Sequence, residues 1–232
     1  FGWILPVEEA AGLCRERHIP FLLDAAQSAG TLPIDMEALG AAFIAMPGHK
    51  GLLGPQGTGL LLCGHEAVPL MEGGTGSVSR QLEMPEFLPD RLEAGTHNMP
   101  GAAGLLEGMR AVRHLGTEEI LRRERRLTVE TIRRLDDMRS ITVFSGVPQS
   151  GVVSFIPVGQ DPVLFGEALC SRWNLALRCG LHCAPLAHKT AGTLPEGTIR
   201  VSFGPMNCMD DVDALTEAIA VQQAVLPTAG DG

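Results

Sequence analysis

The apolar run "AAFIAM" (residues 41–46) stops against "PGHKGLLGPQGTG" (47–59), a segment of glycine and proline that admits neither helix nor regular strand. A short run cut off in this way reads as a buried strand ending in a shaped turn. The pattern recurs at "IPFLL", which ends at Asp24, and at "GTGLLLC" after the glycine turn. Between such runs lie stretches of helical spacing, beginning with "VEEAAGLCRERH". Bounded apolar runs separated by helices predict an α/β chain with a parallel or mixed sheet.

From Pro100 to Met138 the reading is nearly all helix, with Thr117 as an N-cap before Glu118 and Glu119. The runs "ITVF" and "GVVSFIPV", a helix over 162–173, the run "GTIRVSF" and a closing amphipathic helix with Val212, Leu215 and Ile219 then suit a small α+β domain. The expected organisation is a large-domain portion over 1–100, connecting helices over 101–138 and a small C-terminal domain over 139–232. The chain opens on Phe1, which suggests a fragment.

Composition excludes several functions. A net charge of −9 repels phosphate backbones, and the basic run "LRRERRL" is interleaved with acids, so nucleic acid is not expected as a partner. No window approaches the roughly 18 apolar residues of a membrane span, and no secretory leader is recognisable, so the expected compartment is the cytoplasm. Six cysteines in 232 residues are expected as free thiols. Cys14, Cys63, Cys170 and Cys208 read as packing. A metal site from Cys179, His182, Cys183 and His188 does not match the usual zinc spacings, so no metal is expected.

Asp24 and Lys50 each end an apolar run, where ligands of open parallel sheets sit. Alone, the aspartate reads as a cap and the lysine as a solvated residue. Together they supply an amine able to condense with an aldehyde and an acid able to keep a pyridine nitrogen protonated, the two groups that pyridoxal phosphate requires. The turn lacks the Gly-Lys-Ser/Thr of a phosphate-binding P-loop, and no G-x-G-x-x-G follows a strand. A second glycine loop, "EGGTGSVS", offers amides and the Thr75 and Ser77 hydroxyls to an anion.

In order along the chain, "DAAQSAG", "PGHKGLLGPQGTG", "EGGTGS", "RLEAGTHNMPG", "RCGLHCAPLAH" and "GTIRVSFGPMN" resemble the class V aminotransferase family of fold-type-I pyridoxal phosphate enzymes. Cysteine desulfurases and selenocysteine lyases are the most similar members. The resemblance implies that Lys50 is the Schiff-base lysine, Asp24 the partner of the pyridine nitrogen, Gln27 a donor to the ring oxygen and His49 a phosphate contact. It implies a homodimer in which the loop of Thr75 reaches the phosphate of the neighbouring subunit. Arg200 would grip the carboxylate of a small amino-acid substrate, with Arg178 beside it. Cys183, in an R-x-G-x-x-C pattern, would attack the substrate sulfur to form a persulfide that a sulfur-acceptor protein could receive. Arg178, His182 and His188 would lower its pKa electrostatically.

The activity implied is desulfuration of L-cysteine to alanine. Aminotransfer, another lyase or epimerase reaction, or an inactive fragment are the alternatives. Two departures stand out: the upstream part that carries a phosphate-binding helix start and the ring-stacking aromatic in relatives is not in the sequence, and His97 follows "EAGT" where relatives more often carry an apolar residue or proline.

Overall fold

The computed structural model describes residues 1–147 and 149–225, which separate into two compact units. The first runs from Pro6 to Glu118; the second joins Phe1–Leu5 to the chain from Glu119 onward. The break thus falls inside the segment expected as a connector. The opening residues belong to the C-terminal unit through a bridge between Trp3 and Gln149, where the Gln149 amide also donates to the Phe1 carbonyl at 2.8 Å.

In the first unit the elements are helix α1 (Val7–Glu16), strand β1 (Leu22–Asp24), the short helix α2 (Met36–Leu39), strands β2 (Phe43–Pro47) and β3 (Gly59–Cys63), and helix α3 (Met99–Leu115). β1 lies parallel to β2, and β3 returns antiparallel to it, so the sheet is mixed. Its core packs Leu23, Ala25, Ala41 and Ile44 against Val7, Phe21 and Met46. Asp35 caps α2: its carboxylate accepts from the Ala38 amide at 2.9 Å. Four residues are too few to show a helical period, which is why the sequence does not announce it.

In the second unit α4 (Thr117–Asp136, its first two residues counted with the first unit) precedes β4 (Ile141–Phe144), β5 (Val152–Pro157), α5 (Pro162–Trp173), β6 (Arg178–Gly180), α6 (Pro185–Ala191), β7 (Thr198–Ser202) and α7 (Met209–Val225). The sheet order is β4-β5-β7-β6, antiparallel throughout. Phe155, Ile199 and Val153 of the sheet meet Phe165 and Leu169 of α5 and Val212, Leu215 and Ile219 of α7 in one core. This is the α+β arrangement expected.

Two local expectations need correction. Thr117 is the first residue of α4, and the long helical stretch is broken at Gly116, whose φ of +81° no L residue adopts comfortably. Cys208, expected in packing, is exposed ahead of α7, with its amide bonded to the Asp211 carboxylate at 2.9 Å. Among the described residues no helix is long and apolar enough to cross a membrane.

Candidate active site

Asp24 closes β1, and its register partner on the parallel β2 is Ala45, so both strands deliver their C-terminal ends to one edge of the sheet. There the Asp24 carboxylate accepts from the Ala26 amide at 2.9 Å, the local bond by which aspartates shape their own turn. A single helical turn follows, with the Ala29 amide on the Ala25 carbonyl at 2.9 Å, and carries Gln27 outward. From β2 the chain enters the turn of His49 and Lys50, both exposed. This turn is closed by bonds from the Gly48 amide to the Thr58 carbonyl and from the Gly54 amide to the Gly48 carbonyl, each 2.8 Å.

The aspartate turn and the lysine turn touch backbone to backbone. A Cβ on Gly51 would stand 2.3 Å from the Ala29 carbonyl oxygen, and one on Gly30, at φ +84°, would stand 2.1 Å from that of Gly51. No side chain fits in such a gap. α3 presses on the same turn: a Cβ on Gly108 would meet the Leu52 carbonyl at 2.4 Å, and Leu105 reaches the positions of Gly48 and Gly54. A helix expected as a connector therefore buttresses the lysine turn, and its glycine costs about 1 kcal/mol of helix propensity for that approach. Among the described residues neither Asp24 nor Lys50 takes part in an ion pair.

Further along this unit "EGGTGS" meets "EAGTHN". The Gly95 amide bonds the Gly74 carbonyl at 2.8 Å, and the Thr75 and Ser77 hydroxyls pair at 2.9 Å. The two loops line an open cavity of about 320 Å³ with Thr75, Thr96 and His97. His97 is turned toward Glu93, with Nδ1 3.0 Å from Oε2.

The second unit gathers the thiol and the arginines. Arg178 on β6 and Arg200 on β7 are register partners, so two guanidinium groups leave neighbouring strands side by side. Arg200 is half-buried, its Nε has no hydrogen-bond partner among the described residues, and its pKa is lowered by burial first and by the Arg178 charge second. Cys183 is exposed, and Arg178 Nη2 approaches its Sγ at 3.6 Å.

The expected contribution of the histidines does not hold. Burial, then the Arg200 charge, pushes the His182 pKa down to about 4, and burial lowers that of the fully enclosed His188. Both rings are neutral near pH 7, so the positive charge around Cys183 comes from the arginines. Cys179 points elsewhere: its Sγ packs on Gly166 of α5, and burial raises its thiol to about 11. His188 is engaged with the Thr193 hydroxyl at 2.7 Å.

Residues 1–215 match the family described as aminotransferase class-V. The chain belongs to the class-V aminotransferase family. Among curated relatives it is 33% identical to a probable cysteine desulfurase of Mycolicibacterium paratuberculosis over 94% of this chain and 32% of that protein. To one of Methanothermobacter thermautotrophicus it is also 33% identical, over 94% of this chain and 56% of that protein. An apo cysteine desulfurase from Thermococcus onnurineus matches with a TM-score of 0.87 at 32% identity, over 97% of this chain and 57% of that one. One from Escherichia coli matches with a TM-score of 0.86 at 26% identity, over 97% and 57%. The chain thus spans from a third to somewhat over half the length of these relatives. Its fold is part of the fold-type-I architecture of the pyridoxal phosphate enzymes.

The residues present suit the family's cofactor. An acid oriented by its own turn and an amine that makes no ion pair among the described residues stand on turns that interlock at Gly30 and Gly51, at the sheet edge where ligands of such folds bind. Sequence reasoning missed two contributors: α3, read as a connector, and Thr198, whose carbonyl and hydroxyl receive the His182 ring at 3.0 and 3.2 Å. The spacing of Gly101, Gly104 and Gly108 on a helix was the available signal for the first. For Thr198 there was none.

Proposed function

We propose that this class-V aminotransferase family member acts as a cysteine desulfurase, taking sulfur from L-cysteine to leave alanine and a persulfide on Cys183. Lys50, Asp24, Gln27 and His49 would hold pyridoxal phosphate. When bound, that group supplies the electron sink that lets bonds to the amino-acid carbons break. Asp24 would keep a proton on the ring nitrogen, and the Lys50 amine would hold the group through its aldehyde and move the Cα proton of the substrate. Arg200 orients the substrate carboxylate by its planar fork, with Arg178 adjoining. Cys183 Sγ attacks the substrate sulfur; an S–S bond forms as the Cβ–S bond breaks, and the released electron pair ends in a C–H bond of the alanine methyl.

The observation that carries this reading is the exposed Cys183 thiol held 3.6 Å from a guanidinium nitrogen, with uncharged histidines around it. A thiol flanked by fixed positive charge is set up as a nucleophile, and plain aminotransfer has no use for one. A homodimer in which the Thr75 loop serves the neighbouring subunit's phosphate, and a sulfur-acceptor protein, belong to the same reading.

Incubation with pyridoxal phosphate followed by borohydride should leave a pyridoxyl group on the Lys50 peptide of the wild type and none in Lys50→Ala. Cys183→Ala should keep the Lys50 label yet form no persulfide when given L-cysteine. Persulfide formation that survives Cys183→Ala, or a label on another lysine, would refute the assignment.

A further inference from the structure

Leu181 to Ala184 form a tight turn, closed by the Ala184 amide on the Leu181 carbonyl at 2.8 Å. Its two central residues are His182 at φ +50° and Cys183 at φ +62°. Two left-handed residues in succession make the mirror-image turn that Asn-Gly normally occupies, because L side chains crowd their own backbone there. Histidine is tolerated there better than most residues and cysteine is not, but both are L residues strained by the conformation, so something outside the turn must hold it.

The His182 ring leaves the turn for β7, with Nε2 3.0 Å from the Thr198 carbonyl oxygen and 3.2 Å from its hydroxyl. The Nε2–H tautomer donates to the carbonyl and leaves an unprotonated Nδ1, which is buried without a partner among the described residues. Thr198 is the register partner of Gly180, and two residues further along β7 Arg200 faces Arg178. One strand therefore references the turn, the thiol and both arginines to a common frame.

We propose that His182 is a positioning residue for Cys183: its imidazole, hooked on Thr198, keeps the 181–184 turn left-handed and so keeps the thiol beside Arg178. Without the hook the turn relaxes toward ordinary backbone angles, and Sγ swings away from the guanidinium. The inference deepens the reading of Cys183 as sulfur acceptor and rests on it.

The test is competitive alkylation of the purified protein with anionic iodoacetate and neutral iodoacetamide, each cysteine read by peptide mass. Cys208, exposed, is the internal reference, and half-buried Cys179 monitors the fold. In the wild type the arginines give Cys183 a preference for iodoacetate over that of Cys208. His182→Ala should lower that preference about fivefold, the factor expected from one unit charge near 4 Å in water, while Cys179 stays protected.

His182→Asn tolerates the left-handed backbone but is too short to reach Thr198 and should lose the preference as well. His182→Gln, which can donate to the Thr198 carbonyl, should recover part of it. Should the alanine variant expose Cys179 by unfolding, the Asn and Gln pair decides: loss in Asn with retention in Gln supports the hook, and equal behaviour overturns it. A preference within twofold of wild type in a folded His182→Ala also overturns it. Persulfide formation by Cys183→Ala, measured separately, tests the underlying reading without altering the labelling result.

Discussion

An L residue in the left-handed region crowds its Cβ against the following carbonyl at roughly 1–2 kcal/mol, and His182 and Cys183 adopt that region one after the other. Such strain is retained where it serves function and is opposed by the surroundings. Cys183 is exposed, so its side chain contributes little burial that would be lost on truncation. Cys183→Gly removes the Cβ crowding and should raise stability by about 1 kcal/mol, net of the entropy glycine gives the unfolded chain, seen as an upward shift in thermal midpoint. A lower midpoint would mean that the thiol's contact with Arg178 outweighs the strain. The residues of this corner differ in how far sequence reveals them. The thiol and its arginines lie in a recognisable motif, whereas a left-handed His-Cys pair carries none of the Asn-Gly signature by which such turns are recognised.

At the scale of elements, α4 carries its own anomaly. Glu124 is only 3% exposed, and a Cβ on Gly151, the residue before β5, would meet its carboxyl oxygen at 2.5 Å. Burial raises its pKa from the usual 4.5 to about 7. Between those values the folded chain holds a proton that the unfolded chain has released. The contribution is therefore fully present below pH ~4.5 and is lost as pH rises through about 7. Glu124→Gln, which imitates the protonated acid, should be more stable than wild type by ~3 kcal/mol at pH 8. The difference should vanish near pH 4.5, and denaturant titrations at the two values check it. An equal gain at both would place the effect elsewhere than in this proton. Nothing in "LRRERRL" marks Glu124 as the buried acid of the run, because the helical phase that turns it inward is set by Ile120, Leu127 and Thr131 packing. The strands were legible where apolar runs met glycine, as at β2, and along β4 and β5. β6 was not, since its three residues "RCG" have neither alternation nor length.

For the whole molecule, the two units each have a core of their own, one around Ile44 and the other around Phe155. The family motifs ran through both and were legible in order, but the division was not. That Phe1–Leu5 belong with the chain from Glu119 onward depends on a long-range bridge between Trp3 and Gln149, which leaves no local pattern. Free cysteines report on each core separately: Cys14 and Cys63 lie in the first unit, Cys170 and Cys179 in the second, all partly buried. Phe155 has no exposure, and its truncation to alanine leaves a cavity worth about 3–5 kcal/mol. If the cores are energetically distinct, Phe155→Ala should speed thiol labelling at Cys170 and Cys179 by an order of magnitude or more while leaving Cys14 and Cys63 within about twofold of wild type, since local opening tracks local free energy. Labelling resolved by peptide mass, at a denaturant concentration below the unfolding transition, measures all four at once. Acceleration of all four thiols by the same factor would show instead that the chain opens as one cooperative body.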